Sequence, residues 1–451
     1  MVLEIDSPLG PLPDGWILVH LADLTTKIGS GATPLGGEAA YLAVRDRFAF
    51  IRSQNVFDRK FDSKNLAFIS GQDAYRLNGV EVQPEDILLN ITGDGITFSR
   101  ACMVDPAVLP ARVNQHVSII RANKDILDPG YLLSYLTHPQ IKYYMESFNA
   151  GGSRRALTKA HIESFVIPLP PIEEQRAIAR ILGSLDDKIE ANRRMNETLE
   201  AMARAIFKSW FVDFDPVRAK AEGLEPAGMD AETAALFPDS FEETEMGMVP
   251  KGWRIGIVDD LCLLIENGGT PKRMEPKYWH GGTIPWFKTG ELTDGPLIDS
   301  EEAITEHGLS NSSCKLWPKD TILIALYASP TVGRLGVLEA PGTANQACSA
   351  LLAKPEYGCL FLFYKLLFSR EELQNIAVGA AQQNISQQVV RHHEILIPSQ
   401  ETAFAFQQMI EINYSIRVNN EKQSRILAAI RDELLPRLLS GEIRIEGRSC
   451  Q

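Results

Sequence analysis

An internal repeat constrains the fold of this chain more than any other feature. Three segments recur in the same order at offsets of 237, 237 and 231 positions: Leu12-Pro-Asp-Gly-Trp16 as Val249-Pro-Lys-Gly-Trp253, Gly29-Ser-Gly-Ala-Thr-Pro34 as Glu266-Asn-Gly-Gly-Thr-Pro271, and Val113-Asn-Gln-His116 as Ala344-Asn-Gln-Ala347. The offset shrinks along the chain, as small loop deletions would make it, so one duplication explains the pattern. The sequence therefore predicts the same folding unit twice.

A long helix is predicted at the end of each repeat. The segment from Pro171 to Phe211 has no proline after its first residue and is rich in Ala, Leu, Glu, Arg and Met, which favour helix. Its apolar residues alternate in steps of four and three, as at the a and d positions of a coiled coil, here called the seam: Ile178, Leu182, Leu185, Ile189, Leu199, Ala203, Ile206 and Trp210. A second segment has the same spacing near the C-terminus: Met409, Ile412, Ile416, Asn419, Gln423, Ile426 and Ile430.

Polar residues interrupt both predicted seams at equivalent places. They are Asn192 and Asn196 in the first helix and Asn419 and Gln423 in the second. Because polar seam residues fix helix register, we expect the two helices to pair as an antiparallel coiled coil in a pseudo-twofold arrangement, with Asn192 and Asn196 opposite Gln423 and Asn419. The alternative is two unrelated surface helices, each docked on its own domain.

The fold class predicted for each globular repeat is mixed α+β. Short apolar runs bounded by Gly, Pro, Asn and Asp predict strands at 86–90, 117–120, 321–326 and 349–352. One helix is predicted from Pro129 to Phe148, and its counterpart from about Cys359 to Ala377. We expect a first globular domain over 1–170, a helix and acidic connector over 171–248, a second globular domain over 249–398 and a C-terminal helix over 399–451. The connector, 212–248, is predicted to be extended, either as a tether or against another protein.

Composition indicates a globular protein of the reducing cytoplasm. The six cysteines are scattered with no C-x-x-C pair, the N-terminus has no basic, apolar leader, and no apolar run is long enough for a membrane span. The net charge of −13 argues against a nucleic-acid partner when taken alone. Residues 171–248 contribute 9 basic and 17 acidic side chains, a balance of −8, so the globular domains are close to neutral.

No catalytic or metal-binding motif is present in the sequence. It has no phosphate-binding glycine loop, no G-x-G-x-x-G after a strand, and no H-E-x-x-H or H-x-E with C-x-x-C. The adjacent His392 and His393 would point to opposite faces of a strand, which does not suit a metal site. We therefore expect a chain without catalytic residues, metal or cofactor.

Three polar loops, at equivalent places in both domains, are the candidate DNA-binding elements. Glycine allows a backbone to approach phosphate closely, Arg pairs with guanine, and Asn or Gln pairs with adenine in the major groove. The predicted DNA contacts in the first domain are Thr33, Arg52, Thr92, Thr97, Arg100, Ser153, Arg154 and Arg155. Those in the second are Thr270, Lys272, Arg273, Thr331, Arg334, Gln382, Gln383 and Asn384. For any one of these loops a solvated turn is the favoured interpretation, and their recurrence in register makes DNA binding an equal alternative.

The chain resembles the specificity (S) subunits of type I restriction–modification systems over nearly its whole length. The resemblance depends most on Ile167-Pro-Leu-Pro-Pro-Ile-Glu-Glu-Gln175, Ser209-Trp-Phe-Val-Asp-Phe-Asp-Pro216 and Leu236-Phe-Pro-Asp-Ser-Phe241. The second repeat departs from it at Ser399-Gln-Glu-Thr402, which lacks the Pro-Pro-x-x-Glu-Gln of the first and leaves the start of its helix undefined.

The resemblance implies a non-catalytic DNA-recognition subunit. Each target-recognition domain would bind one half of a bipartite asymmetric site in double-stranded DNA, and the helices would act as spacer and docking surface for two methyltransferase (modification) subunits. Restriction–translocase subunits would join the complex, and S-adenosylmethionine, ATP and Mg²⁺ would belong to those partners. Two alternatives stay open: a coiled-coil adaptor without DNA binding, and a methyltransferase with a fused recognition domain.

Overall fold

A computed structural model of the chain describes residues 7–93, 96–148, 155–327, 331–378 and 384–445. The chain divides into two compact units, unit 1 formed by Met1–Ala191 and Ser424–Gln451 and unit 2 by Asn192–Gln423. Each unit contains a globular portion of strands and short helices, which confirms the mixed α+β prediction. Each also contains part of the two long helices, Ile172–Phe211 and Gln400–Leu439, called the central and C-terminal helices below.

Unit 1 is built on two four-stranded sheets. The strands of the first, all antiparallel, are in spatial order Ala101–Met103, Ile87–Asn90, Val117–Ala122 and Thr25–Ser30. The strands of the second are Ala67–Ile69, Phe48–Ile51, Ala111–Val113 and Glu81–Val82. The other strands of unit 1 form three pairs: Ile17–His20 with Val166–Leu169, Val56–Phe57 with Lys60–Phe61, and Thr92–Gly93 with Arg155–Ala156. Its short α-helices are Gly71–Arg76, Pro129–Leu136, Pro139–Ser147 and Lys159–Glu163.

Unit 2 has a five-stranded and a three-stranded sheet. The strands of the first are Cys262–Asn267, Cys348–Ala353, Thr321–Ala325, Leu335–Leu338 and Gly295–Leu297. Those of the second are Glu302–Ile304, Ile284–Phe287 and Thr343–Ala344. The remaining strand pairs are Arg254–Ile257 with Glu394–Ile397 and Phe241–Thr244 with Gly247–Pro250. Its short α-helices are Asp215–Ala221, Ala231–Ala235, Glu306–Ser310, Cys359–Phe368, Arg370–Val378 and Gln387–Arg391.

The two units share a parallel strand pair in an otherwise antiparallel second sheet; unit 2 has a further parallel pair, Gly295–Leu297 with Leu335–Leu338, in its five-stranded sheet. In unit 1, Phe48–Ile51 runs parallel to Ala111–Val113, and in unit 2, Ile284–Phe287 runs parallel to Thr343–Ala344. A parallel pair needs a long crossover, so its recurrence at the same place in the chain is a topological signature of duplication.

The repeated Pro-x-Gly-Trp motif has one structural role in both units. Its tryptophan N–H bonds back to the proline carbonyl, at 3.2 Å in unit 1 and 3.1 Å in unit 2, and this turn needs a glycine with positive φ, Gly15 at 84° and Gly252 at 82°. Both tryptophans are buried: Trp16 donates from Nε1 to Glu174, and Trp253 packs on Phe211, with the ring centroids 5.8 Å apart. Each motif therefore fastens its domain to the central helix within the same unit.

Two single helices predicted from the sequence are each two helices in the structure. The segment 129–148 divides into Pro129–Leu136 and Pro139–Ser147, because Pro139 cannot continue a helix and His138 caps the next one by accepting the N–H of Gln140 at 3.1 Å. The counterpart divides into Cys359–Phe368 and Arg370–Val378.

The seam predicted for the central helix agrees with its burial. Ile178, Leu182, Ala203 and Trp210 are buried, and the other apolar seam residues are half-buried. Inside unit 2 the central helix is hydrogen-bonded to the C-terminal helix, and the partners descend in number as the central helix ascends, so these segments are antiparallel.

The seam predicted for the C-terminal helix is wrong by one position. Every member of the predicted set is exposed, although Gln423 still reaches the central helix; Ile412 is 70% exposed and Ile426 is 61% exposed. The positions one residue later are buried or half-buried, namely Ile410, Asn413, Arg417, Asn420, Ser424, Leu427 and Arg431. The apolar pattern was misleading because this inner face is largely polar and is satisfied by ion pairs and hydrogen bonds.

The predicted extended connector is also wrong. Residues 212–248 form two short helices and the first strand of a hairpin that pack on the core of unit 2. Phe237 is 2% exposed, and its ring lies edge-on to Trp210 with centroids 5.1 Å apart. Lys220 Nζ closes the segment by donating to the carbonyl of Ala234 at 3.1 Å. The acidic composition concealed these few apolar anchors.

Candidate nucleic-acid interface

In unit 1 the loop after strand Thr25–Ser30 lies against a turn formed by Asn114, Gln115 and His116. A side chain at Gly31 would place its Cβ 2.1 Å from the carbonyl oxygen of Val113, so only glycine allows this approach. The Thr33 hydroxyl donates to Gln115 Oε1. Asn114 is buried and its Oδ1 accepts the N–H of His116 at 3.1 Å, so Asn114 shapes the turn while Gln115 is exposed at its tip.

Unit 2 contains the same arrangement. A Cβ at Gly268 would lie 2.1 Å from the carbonyl oxygen of Asn345, and the Thr270 hydroxyl donates to Gln346 Oε1. Asn345 Oδ1 accepts the N–H of Ala347 at 3.1 Å, and Gln346 is exposed. We call these two structures the Asn-Gln turns, residues 114–116 and 345–347.

Each Asn-Gln turn is a hub to which described residues bordering the other two predicted loops are linked by backbone hydrogen bonds. In unit 1, Ile91 donates to the carbonyl of His116 at 3.0 Å, and Leu157 donates to the carbonyl of Ile91 at 2.8 Å. In unit 2, Leu326 donates to Ala347 at 2.8 Å, and Ile385 donates to Leu326 at 3.0 Å. Residues 91 and 157 of unit 1 and residues 326 and 385 of unit 2, which border the other two predicted loops, are therefore linked by backbone hydrogen bonds to the turn that contacts Thr33 or Thr270.

Thr92 and Arg155 lie beside the turn in unit 1. The Thr92 hydroxyl is 2.7 Å from His116 Nδ1, and the short strand of Thr92 pairs with that of Arg155. The Arg155 guanidinium is bound to Glu146 at 2.6 Å, so it enters any DNA contact from an existing ion pair.

Thr97 and Arg100 are bonded to the buried Asn90, and Arg52 is held separately. Asn90 Nδ2 donates to the carbonyl of Thr97 at 3.1 Å, and its backbone N–H donates to that of Arg100 at 2.8 Å. The Arg100 guanidinium lies over the Phe57 ring, 4.6 Å from its centroid. Arg52 donates from Nη2 to the carbonyl of Asn65 at 2.8 Å.

In unit 2, Arg273 is held more tightly than the sequence suggested. Its guanidinium pairs with Glu302 and stacks over Trp279 and Trp286, at 4.0 and 4.6 Å from their centroids. The arginine lowers the pKa of Glu302, mainly through its hydrogen bond to that carboxylate. The neighbouring Lys272 is exposed.

The remaining predicted residues of unit 2 lie in the other two loops. The Thr331 hydroxyl donates to the carbonyl of Tyr327 at 2.9 Å, and Asn384 is half-buried just before Ile385. Within the part of the chain that the structure covers, the Arg334 guanidinium has no hydrogen-bond or ion-pair partner, which leaves its donors available. The predicted contacts Ser153, Arg154, Gln382 and Gln383 lie outside the described residues.

Comparison with known proteins identifies the family. A family model described as the type I restriction modification DNA specificity domain matches residues 54–201 and 250–422. The chain belongs to this family. The two matched segments fall one in each repeat, and the resemblance found in the sequence is confirmed.

Known specificity subunits are similar to this chain over most of its length. It is 29% identical over 441 residues to the type I restriction enzyme HindI specificity subunit of Haemophilus influenzae, covering 87% of this chain and 94% of that protein. It is 24% identical over 453 residues to the MjaIX specificity subunit of Methanocaldococcus jannaschii, covering 98% and 96%. The crystal structure of a type I restriction–modification S subunit from M. genitalium has the same fold, with a TM-score of 0.61, 15% identity and coverage of 96% and 98%.

Of the four residues predicted to fix helix register, three form hydrogen bonds that link the central and C-terminal helices within unit 2. Asn192 Nδ2 donates to Gln423 Oε1 at 2.9 Å, as expected for an antiparallel pair. Asn196, however, accepts from Asn420 Nδ2 at 2.9 Å, whereas Asn419 is exposed. Asn420 therefore replaces the predicted Asn419, consistent with the one-residue displacement of the seam.

Sequence reasoning did not include Gln115 and Gln346 among the candidate site residues. Their signal was available, because the Asn-Gln dipeptide recurs in both repeats, but a repeated pair was taken only as evidence of duplication.

Across the described ranges, no group of three or more His, Cys, Asp or Glu side chains could hold a metal ion. Over the same ranges, no helix has the length and apolar character needed to cross a bilayer.

Proposed function

We propose that this chain is the non-catalytic specificity subunit of a type I restriction–modification complex and that each globular domain recognises one half of a bipartite, asymmetric site in double-stranded DNA. The observation that carries the proposal is the Asn-Gln turn and its three loops, built twice on one scaffold. Family membership supplies the class of function. The proposed target-recognition domains are 1–170 and 249–398.

Different residues around the two hubs support recognition of different half-sites. His116 in the first turn is replaced by Ala347 in the second, and Thr92 by Tyr327 at the equivalent position. Arg154 and Arg155 correspond in the same way to Gln382 and Gln383. Arginine favours guanine edges and glutamine favours adenine edges, so the two domains offer different hydrogen-bonding groups on one frame.

The partners follow from the chemistry that this chain lacks. A specificity chain without catalytic motifs needs subunits that supply methylation, translocation and cleavage, so we propose two modification subunits and restriction–translocase subunits as partners. S-adenosylmethionine, ATP and Mg²⁺ would be bound there. The −13 net charge fits this division, since partner subunits would then supply much of the contact with phosphates.

We further propose that the long helices act as spacer and as docking surface for the modification subunits. In unit 2, Met409, Ile412 and Ile416 are exposed at three- and four-residue intervals on the C-terminal helix, and in unit 1 Ile426 and Ile430 are exposed in the same way. Large apolar side chains exposed at helical spacing are typical of a protein-binding face. An adaptor without DNA binding would not need the duplicated loops, and a fused methyltransferase has no support in the motifs.

The decisive experiment is methylome sequencing of cells that express the modification subunits with and without this chain. We expect a two-part methylation motif that depends on the chain. Changing Arg154 and Arg155 together to Ala should alter the preference in one half of the motif and leave the other half intact. A motif that persists without the chain would refute the specificity role, and an equal loss in both halves would refute independent domains.

A further inference from the structure

The two Asn-Gln turns are alike in a way that recognition of different DNA sequences does not explain. Thr33 and Gln115 in one domain and Thr270 and Gln346 in the other make the same hydrogen bond, beside a glycine that both copies require. A contact that is identical in two domains cannot distinguish two different half-sites. Whatever these glutamines bind must therefore be common to both halves.

We propose that Gln115 and Gln346 are positioning residues, each donating a hydrogen bond from Nε2 to a phosphate oxygen of the DNA backbone. This inference depends on the proposed DNA-binding function and assigns the sequence-independent part of it. Phosphate is the acceptor that every half-site offers, and backbone contacts fix the orientation of a protein on the duplex without selecting bases.

The threonine fixes which end of the carboxamide is presented. Because Oε1 accepts the threonine hydroxyl, the amide group is oriented with its N–H donors away from that contact. In unit 1 one donor is 3.3 Å from His116 Nε2, which leaves the second. In unit 2 the equivalent residue is Ala347, which has no side-chain acceptor, so Gln346 offers the same donor without that neighbour.

The surroundings suit a DNA contact. Both glutamines are exposed, whereas Asn114 beneath the first is 7% exposed and is used in shaping the turn. In unit 1 the hub also lies beside Thr92, whose hydroxyl is 2.7 Å from His116 Nδ1. A neutral donor adds affinity without requiring local positive charge, which suits a chain of net charge −13.

The test uses the assembled complex of this chain with its modification subunits and compares Gln115→Ala, Gln346→Ala and the double variant with wild type. Binding is measured by fluorescence anisotropy on a duplex that carries the methylated motif and on an unrelated duplex. We expect each single change to weaken binding to both duplexes by about 5-fold, and the double change by about 25-fold. The salt dependence of binding should be unchanged, because no charge is removed.

Three further measurements make the outcome decisive. Gln72→Ala, an exposed glutamine on helix Gly71–Arg76, is the matched control and should bind as wild type. Gln115→Glu should lose more affinity than Gln115→Ala, with the difference shrinking at high salt, because a carboxylate repels phosphate. A DNA duplex with one methylphosphonate at the contacted position should bind wild type and Gln115→Ala equally.

Two results would overturn the proposal. If the methylome of Gln115→Ala cells shows a relaxed base at one motif position, the glutamine recognises a base and not a phosphate. If the variants bind both duplexes as wild type does, the Thr-Gln pair only shapes the loop. Either result leaves the dependence of the wild-type motif on this chain intact, whereas failure of the proposed function would appear as a motif that persists when the chain is absent.

Discussion

The ion pair between Arg417 and Glu200 should distinguish the observed packing of the C-terminal helix from the packing that its apolar pattern suggests. Arg417 Nη1 is bonded to the Glu200 carboxylate inside unit 2, and the two side chains are 10% and 15% exposed. Glu200 also accepts from Tyr364 Oη at 2.8 Å and from Arg204 Nε at 2.6 Å. We consider Arg417→Met, which keeps the length of the side chain and removes its charge.

The expected loss of stability depends on the hydrogen-bond partners that Glu200 retains when Arg417 is replaced. Removing one partner of a fully buried ion pair costs about 3–5 kcal/mol, because the other charge is left without compensation. Glu200 retains Tyr364 and Arg204 and some solvent, so we expect Arg417→Met to lower the free energy of unfolding of unit 2 by about 2–3 kcal/mol. The double variant Arg417→Met with Glu200→Gln should lose less unfolding free energy than the two single variants together, with a difference of about 1 kcal/mol or more.

Equilibrium unfolding in guanidinium chloride provides the assay. Trp210 and Trp253 lie in the core of unit 2, so tryptophan fluorescence reports its unfolding. Ile412→Ser is the matched control: Ile412 belongs to the predicted seam but is 70% exposed, and its replacement should change stability by no more than about 0.5 kcal/mol. A large loss for Ile412→Ser together with no loss for Arg417→Met would refute the register described above.

Three more outcomes are expected. Ile412→Ser should weaken binding of the modification subunit by about 10-fold in titration calorimetry, since docking would bury a side chain worth about 1–2 kcal/mol. Gly31→Ala, whose Cβ would meet the Val113 carbonyl, should impair DNA binding, whereas Gly29→Ala has open space and should not. Desolvation lowers the pKa of His138 to about 4, so the folded state favours the neutral ring. Stability should therefore fall by up to about 3 kcal/mol as pH drops from about 6.5 to 4, and in denaturation curves His138→Asn, which keeps the helix cap, should flatten this dependence.

Much of the fold could be predicted from sequence because duplication leaves two records of each turn. Pro-x-Gly-Trp recurs because the turn at Gly15 and Gly252 requires positive φ and its tryptophan fastens the domain. The helix break at His138 and Pro139 was missed, because the apolar residues of the two short helices continue the same period across it. The connector was missed because its burial depends on a few aromatic residues such as Phe237.

The candidate site was predicted by its loops but not by its hub. Hydrogen bonds between residues far apart in sequence, such as Thr33 with Gln115, cannot be inferred from local patterns. Electrostatic pairing was equally hidden: Arg155 and Arg273 were predicted as DNA contacts, and the structure shows that Glu146 and Glu302 pair with them. A lone arginine in a loop therefore says little about its availability until its acidic neighbours are known.

The misassigned seam leads to a physical account of the two long helices. An apolar seam can slip by one heptad at small cost, whereas polar pairs are satisfied in one register only. In unit 1, the Asp186 carboxylate forms ion pairs with Arg59 of the globular domain, at 2.6 Å, and with Arg431 of the C-terminal helix, at 2.9 Å. A slip of the C-terminal helix would therefore separate Arg431 from the half-buried Asp186. In unit 2, Asn192, Asn196 and Glu200 of the central helix would likewise lose their partners on the C-terminal helix if the register slipped. Within each unit the polar seam thus fixes the register of the two helices, as their proposed role as a spacer would require, and the isoleucines outside the seam are exposed.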